Sequence, residues 1–523
     1  MSALLLSVGL CFLPISGDEP AIAADVLIRG ATLYDGTANP GRKGDVAIKG
    51  ERIVGVGAFT VSGQPRVIDG SGLIVTPGFI DLHTHSDYPL QAAATRNNRN
   101  YLMQGVTTVV TGNCGSGPYD VASYFQKLER EGIGSNVIHQ APHNDIRAKA
   151  MGNVNRAPTV VELKAMEDLV DKAMSDGAWS LSTGLIYNPG TYAKTDEIIE
   201  LAKVAARHGG FYASHIRDEG VDLLPSLNEV LTIGRKAQLP VHISHIKAMG
   251  RRFWGKSGEA IALIEKARAE GLAVSADQYP YIASSTSLAA TLIPTQFREG
   301  SPSDYQARLA NPEQRRRIRQ GVEQALDGRQ GGKQIQIARY ASKPAWQGKN
   351  LEQIAGMEHK PVVDLVLEIE EKGGAAIVNF GMSEEDVRLY MRQTWVATAS
   401  DGSGMMPGDT VPHPRAYGCF PRKVGFYALM EKALPLEQAL RSCNGLPADI
   451  LHLPERGYLK TGYIADLVVL DPKTFIDKAT YDKPHQYATG VKYLFVNGVL
   501  AIDDGKFEGK LAGKVLRHMD AVR

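Results

Sequence analysis

Gly78-Phe79-Ile80-Asp81-Leu82-His83-Thr84-His85-Ser86-Asp87 is an apolar run that ends in two histidines one residue apart. Alternate residues of a strand share a face, so both imidazoles project together from its C-terminal end, a spacing that suits metal ligation. An isolated His-x-His is weak ground for a metal site; what matters is whether other strands end the same way. Strand-like runs recur at 106–111, 136–140, 178–182, 210–214, 241–244, 273–277 and 395–400. They alternate with helical stretches such as 159–176, where Val161, Leu163, Met166, Leu169, Val170 and Ala173 fall at helical spacing. With the run at 78–83 they make eight β/α units, which predict a closed (β/α)8 TIM barrel with its chemistry at the C-terminal strand ends.

Those strand ends carry a consistent set of donor atoms. The first supplies His83 and His85, the second Cys114 in Thr111-Gly112-Asn113-Cys114-Gly115, the fifth His215, the sixth His245 and the eighth Asp401. Taken singly, Cys114 reads as a small buried hydrophobe, His215 as a core histidine and Asp401 as a helix cap. Six such residues on one rim point instead to a metal centre, and imidazole, thiolate and carboxylate donors suit zinc.

The barrel, placed at 78–456, is both interrupted and flanked. From about 288 to 356 the chain is polar, helical in places and longer than an ordinary connection, which predicts an insertion over the barrel mouth. Residues 25–77 hold short β-rich runs separated by turn clusters, and the same texture returns within 457–523. Both chain ends are therefore expected to pair into one small discontinuous β-sandwich domain. Residues 1–24 read as a signal peptide, with an apolar core at 3–15 and a small-x-small cleavage site at Ala21-Ile22-Ala23. The positive residue usual before such a core is missing, so a cytoplasmic location stands as the alternative to a periplasmic or secreted one.

Composition narrows the partners. With 58 basic and 57 acidic side chains the formal charge is +1, which supplies no field for nucleic acid or a stable membrane association. A small-molecule substrate is expected; no reading of oligomeric state follows. Arg315-Arg316-Arg317 with Arg319 lies in a polar helical stretch and reads as a solvated helix face. Four cysteines do not make a disulfide scaffold in 523 residues, and pairing of Cys419 with Cys443 is left open.

The chain resembles the amidohydrolase superfamily and, within it, the N-acyl-D-amino-acid deacylases, or D-aminoacylases. The carriers are the His83-Thr84-His85 stretch, Asn113-Cys114-Gly115, Leu181-Ser182-Thr183-Gly184-Leu185, Ser214-His215-Ile216-Arg217-Asp218-Glu219, Ser244-His245-Ile246-Lys247, and Ser400-Asp401-Gly402 followed by His413-Pro414-Arg415. The His-x-His alone marks only the superfamily; the Asn-Cys-Gly and His-Pro-Arg elements narrow it. Hydantoinase-like and dihydroorotase-like members use a carbamylated lysine ending strand four. Strand four here reads Trp179-Ser180-Leu181-Ser182-Thr183, without one, and Cys114 takes its place.

The resemblance implies one tightly bound zinc held by Cys114, His215 and His245, with His83, His85 and Asp401 around a second, weaker position. It implies metal-activated water as nucleophile and Asp401 as proton shuttle to the leaving amine. It also implies a carboxylate-binding set of Lys247, Tyr279, Ser285 and Arg415, the serine chosen among Ser284, Ser285 and Ser287 by its spacing from Tyr279. The expected reaction is hydrolysis of N-acyl-D-amino acids, or of dipeptides with a C-terminal D residue; the D preference comes from the family alone. A cyclic-amide hydrolase and a non-catalytic metal-binding barrel are the alternatives.

Overall fold

The computed structural model describes residues 21–518. The signal segment expected at 1–24 lies, but for its last four residues, outside them. Ile22–Ala23 pairs in parallel with Val61–Ser62.

Eight parallel strands form the barrel: β1 (Phe79–Asp81), β2 (Val106–Thr111), β3 (Asn136–His139), β4 (Ser180–Gly184), β5 (Phe211–His215), β6 (Val241–Ile243), β7 (Val274–Gln278) and β8 (Val396–Thr398). Strand β2 is β-branched at every position and buried throughout, as a parallel strand covered on both faces should be. Strand β3 joins the two halves of the ring, pairing with β2 and then, past Gln140, with β4 through Ala141–Pro142. The ring closes where Thr84 bridges Gly402. There Asp401 N donates to His83 O at 2.8 Å and His85 N to Gly402 O at 2.7 Å. Barrel closure itself thus brings the first and last candidate ligands together.

Helices cover the outside. Val160–Ser175 opens with a capping box, in which Thr159 and Glu162 exchange side-chain and backbone hydrogen bonds, and buries Met166, Val170 and Ala173. Inside, Ile80, Leu82, Val110, Ile138, Ala213 and Ala397 belong to one buried cluster, so the barrel is a packed core and not a pore.

Both chain ends meet in one nine-stranded sheet, where Ile74–Pro77 runs antiparallel to Leu467–Leu470. Ile28, Val46, Ile53, Val75, Leu467 and Phe495, from both ends, share its core. Gly78 links this sheet to β1, and a Cβ on it would lie 2.3 Å from Thr107 Oγ1. Asp466 pins the junction, accepting from Asn497 N at 2.7 Å and Asn136 Nδ2 at 2.9 Å and pairing with Arg456.

The inserted segment runs further than the 288–356 expected. It leaves after β7, forms an antiparallel sheet of Ser284–Ser287, Ala376–Asn379 and Ile335–Arg339, and returns before β8. The helix Val362–Glu371 is rich in Val, Leu and Ile, like a barrel helix, but packs into the insertion's own core with Ile318, Val322 and Trp346. Of the arginine run on the helix Pro312–Asp327, Arg315 pairs with Glu371 and Arg319 with Asp364, both on Val362–Glu371. No helix among the described residues is long and apolar enough to cross a membrane.

Candidate metal centre

The turn after β2 is shaped to present one thiol. Gly112 has φ +78°, and a Cβ on it would lie 2.4 Å from Gln140 O, so this position has room for glycine alone. Asp87 Oδ1 accepts from Gly112 N at 2.6 Å, and Gln140 Nε2 donates to Asn113 Oδ1 at 2.6 Å. Cys114 follows in the left-handed region at φ 54°; His245 at φ 35° and Asp401 at φ 48° share that unusual backbone. Non-glycine residues there are held by their surroundings at some conformational cost, a pattern that clusters at functional sites.

Three donor atoms converge. Cys114 Sγ lies 3.5 Å from His215 Nδ1 and 3.7 Å from His245 Nε2, and these two nitrogens are 2.7 Å apart. Tetrahedral zinc with its usual bond lengths separates a thiolate from an imidazole nitrogen by about 3.5 Å and two nitrogens by about 3.3 Å, so the donor set fits zinc with a small opening of the two rings. A second group of donors adjoins it. His83 Nε2 is 3.3 Å from Cys114 Sγ and 3.6 Å from Asp401 Oδ1, and His85 Nε2 is 3.1 Å from Asp401 Oδ1. All six residues read from the strand ends therefore sit in one cluster, within which His83, His245 and Asp401 could also share an ion.

A model of the amidohydrolase family matches residues 66–502. The chain belongs to the amidohydrolase family. It is 36% identical over 520 residues to a D-aminoacylase of Alcaligenes xylosoxydans xylosoxydans, an alignment spanning 95% of this chain and 98% of that one. A solved D-aminoacylase, whose binuclear centre is described by one-metal activation and second-metal attenuation, superposes with a TM-score of 0.81 at 35% identity, covering 94% of this chain and 100% of that one. The N-acyl-D-glutamate deacylase of Bordetella bronchiseptica, solved with zinc and a phosphonate mimic of the tetrahedral intermediate, superposes at 0.80 with 31% identity, covering 95% and 100%.

In this amidohydrolase, buried carboxylates orient the histidines. Asp277, at the end of β7, faces His83 Nδ1 at 3.4 Å and His242 Nε2 at 2.8 Å, and accepts from His245 N at 2.7 Å. Burial alone would raise its carboxyl, but the surrounding histidines outweigh that and hold it low, so it stays ionised. With Nδ1 committed to Asp277, His83 turns Nε2 towards Cys114 and Asp401. Burial lowers the His83 imidazole to about 4, which keeps it in the neutral, ligating form. Burial likewise pushes the Cys114 thiol well up, and a cation among these donors reverses that by favouring the thiolate.

Glu219 does the same for the other two rings. Its Oε1 lies 3.3 Å from His245 Nδ1 and 3.7 Å from His215 Nε2, the nitrogens facing away from Cys114, and it pairs with Lys247. His215 Nε2 otherwise has no partner. Burial would raise the Glu219 carboxyl, but Lys247 and both imidazoles hold it well below its ordinary range. Glu219→Gln is expected to weaken zinc affinity by roughly 10–100-fold, the usual contribution of an outer carboxylate on a metal-binding histidine. Competition with a chromophoric chelator measures this; unchanged affinity would leave Glu219 as no more than the counter-ion of Lys247.

Asp401 and Arg415 form the polar end. Arg415 Nη1 lies 2.8 Å from Asp401 Oδ2, both side chains nearly buried, and its guanidinium sits 4.6 Å from the centre of the Tyr279 ring. Burial would raise the Asp401 carboxyl, but Arg415, His85 and His83 outweigh it and keep it well below the ordinary range. Tyr279 has a buried hydroxyl with no hydrogen-bond partner among the described residues. Lys247 pairs with Glu219 and lines the cavity, and Ser285, which also lines it, donates its Oγ to Ile377 O at 2.8 Å. Of the four residues expected to bind a carboxylate, Lys247, Tyr279 and Ser285 line the inner cavity and Arg415 lies over the Tyr279 ring beside Asp401.

Asp277 and Glu219 were not singled out from sequence. An acidic residue closing β7, beside strands that end in histidine, was the available signal for Asp277; Glu219 carries none beyond its place in the His215 motif. His143, at the start of the helix that follows β3, is turned away from the ligands, with Nε2 3.1 Å from Glu197 Oε1. Cys114, Cys419 and Cys443 are free and buried.

Proposed function

We propose that this protein is a zinc-dependent amide hydrolase that cleaves N-acyl-D-amino acids, or dipeptides with a C-terminal D residue, to a carboxylate and a free D-amino acid. The observation that carries the reading is the Cys114, His215 and His245 donor set lying beside the Asp401–Arg415 pair in one buried site. Zinc held by those donors would supply a bound water of lowered pKa, from about 15.7 to about 7, and a Lewis acid for an amide carbonyl.

The chain's own groups supply the rest. Asp401, held ionised, is the base that takes the proton of the attacking water and then delivers it to the departing nitrogen. Its Oδ1 faces the histidine side and its Oδ2 faces Arg415, so one carboxylate spans the distance between nucleophile and leaving group. Arg415 and the unpartnered Tyr279 hydroxyl bind the substrate carboxylate, fixing the amide between metal and base. Strand β4 ends in Ser182-Thr183-Gly184, and Ser182 Oγ donates to Gly112 O, bracing the Cys114 turn where cyclic-amide hydrolases carry a ligating lysine. The D preference and the linear substrate rest on the relatives.

Release of free amine from matched N-acetyl-D- and N-acetyl-L-amino acids tests this. Hydrolysis confined to the D series is expected. Equal turnover of both enantiomers, or cleavage of hydantoin or dihydroorotate with the linear amides left intact, would overturn it.

A further inference from the structure

Beyond the ligands the cavity opens outward. An inner space of about 80 Å³ bounded by Tyr187, Tyr279 and Asp401 adjoins an outer one of about 250 Å³. Ile186, Glu219, Met249, Arg329 and Asn379 line both, so these five residues form the neck between them.

Two buried polar atoms at that neck have no hydrogen-bond partner among the described residues: Arg329 Nε, a donor, and Asn379 Oδ1, an acceptor. Leaving such groups unmade is costly, so each is a candidate ligand contact. Asn379 is 5% exposed, and its amide makes only a weak contact of 3.8 Å to Met249 Sδ. Arg329 hydrogen-bonds to Ala325 O at 2.9 Å, and among the described residues no carboxylate forms a salt bridge with it.

Asp218 attracts the Arg329 guanidinium electrostatically, but the charges facing the outer space leave its Nε without a hydrogen bond among the described residues. Glu219 is paired with Lys247, and Asp218 Oδ1 accepts from Gly220 N at 2.7 Å and Asp222 N at 3.0 Å within its own turn. Arg251 and Arg252 add positive charge at the rim. An apolar substrate arm would suit Ile186 and Met249 but would leave the Arg329 Nε donor without an acceptor.

We propose that Arg329 recognises an anionic group on the variable arm of the substrate, so that N-acyl-D-amino acids bearing a second carboxylate are preferred. The proposal rests on the amide-hydrolase reading above. The second carboxylate is carried either by the amino-acid side chain or by the acyl group; both present the same chemistry to a guanidinium, which grips a carboxylate through two parallel hydrogen bonds.

The test compares kcat/KM of the zinc-loaded full chain for N-acetyl-D-glutamate, N-succinyl-D-leucine and N-acetyl-D-leucine. At least one anionic-to-neutral ratio is expected to be tenfold or more. It should fall by tenfold or more in Arg329→Met and recover in part in Arg329→Lys. Asn379→Asp, which sets a carboxylate at the neck, should lower the same ratio and serves if Arg329→Met fails to fold. Whichever substrate shows the ratio identifies the arm. Ratios near one for both anionic substrates, or a ratio unmoved by Arg329→Met, overturn the proposal. If none of the three substrates releases amine, the hydrolase reading fails, and calorimetric affinities of the same three compounds decide the Arg329 proposal by the same ratios.

Discussion

Replacing Asp401 by asparagine is expected to lower kcat on an N-acyl-D-amino acid by about 10²–10⁴-fold, the usual contribution of a positioned acid–base group. Asparagine keeps the shape of the side chain and its reach to His85 and Arg415, but it cannot take a proton. Zinc content should hold at one per chain, because Cys114, His215 and His245 are untouched. The substitution also leaves the buried Arg415 charge unpaired, so a lower Tm should accompany the loss of rate. Turnover measured beside zinc content separates the possible roles. A kcat within threefold of the native value, with zinc retained, would remove Asp401 from proton transfer.

Cys114→Ser is expected to be the most damaging ligand change. Serine keeps the size and, in the left-handed backbone at this position, the same conformational demand. It replaces a thiolate with a hydroxyl that holds zinc poorly at neutral pH. Loss of a direct ligand should weaken zinc affinity by more than the roughly 10–100-fold attached to outer partners. The variant should lose zinc on dialysis and lose its D-substrate turnover with it, regaining part of both in excess zinc. Metal analysis and amine release after dialysis measure this. Full zinc occupancy in Cys114→Ser would move the tight site to the His83, His85 and Asp401 side of the cluster.

How far the sequence reaches can be judged from particular residues. Strands such as β2, Val106–Thr111, are short runs of β-branched residues, and such local patterns are visible without coordinates. The six candidate ligands were legible because they all stand at strand ends, and barrel geometry carries strand ends to one rim. Glu219 and Asp277 were not, because their importance lies in which ring nitrogens they face, and that depends on packing between segments as far as 194 residues apart in sequence. Lys247 shows the same limit from the other side. Beside His245 in sequence it reads only as a binder of a substrate carboxylate; in the fold it lines the cavity and also pairs with Glu219, a partner that no local pattern shows. The insertion's end was missed because Val362–Glu371 has the apolar face of a barrel helix, and only its packing partners reveal that it belongs to a separate core.

The central claim is that zinc on Cys114, His215 and His245, with Asp401 as proton shuttle, hydrolyses N-acyl-D-amino acids. Its most direct test is titration of metal-free protein with zinc while amine release from an N-acetyl-D-amino acid is followed against its L enantiomer. The account predicts no turnover without metal, and a D-selective rate that rises in proportion to zinc and levels off at one equivalent per chain. Undiminished D-hydrolysis by the metal-free protein, or a rate that appears only after a second equivalent is bound, would contradict it.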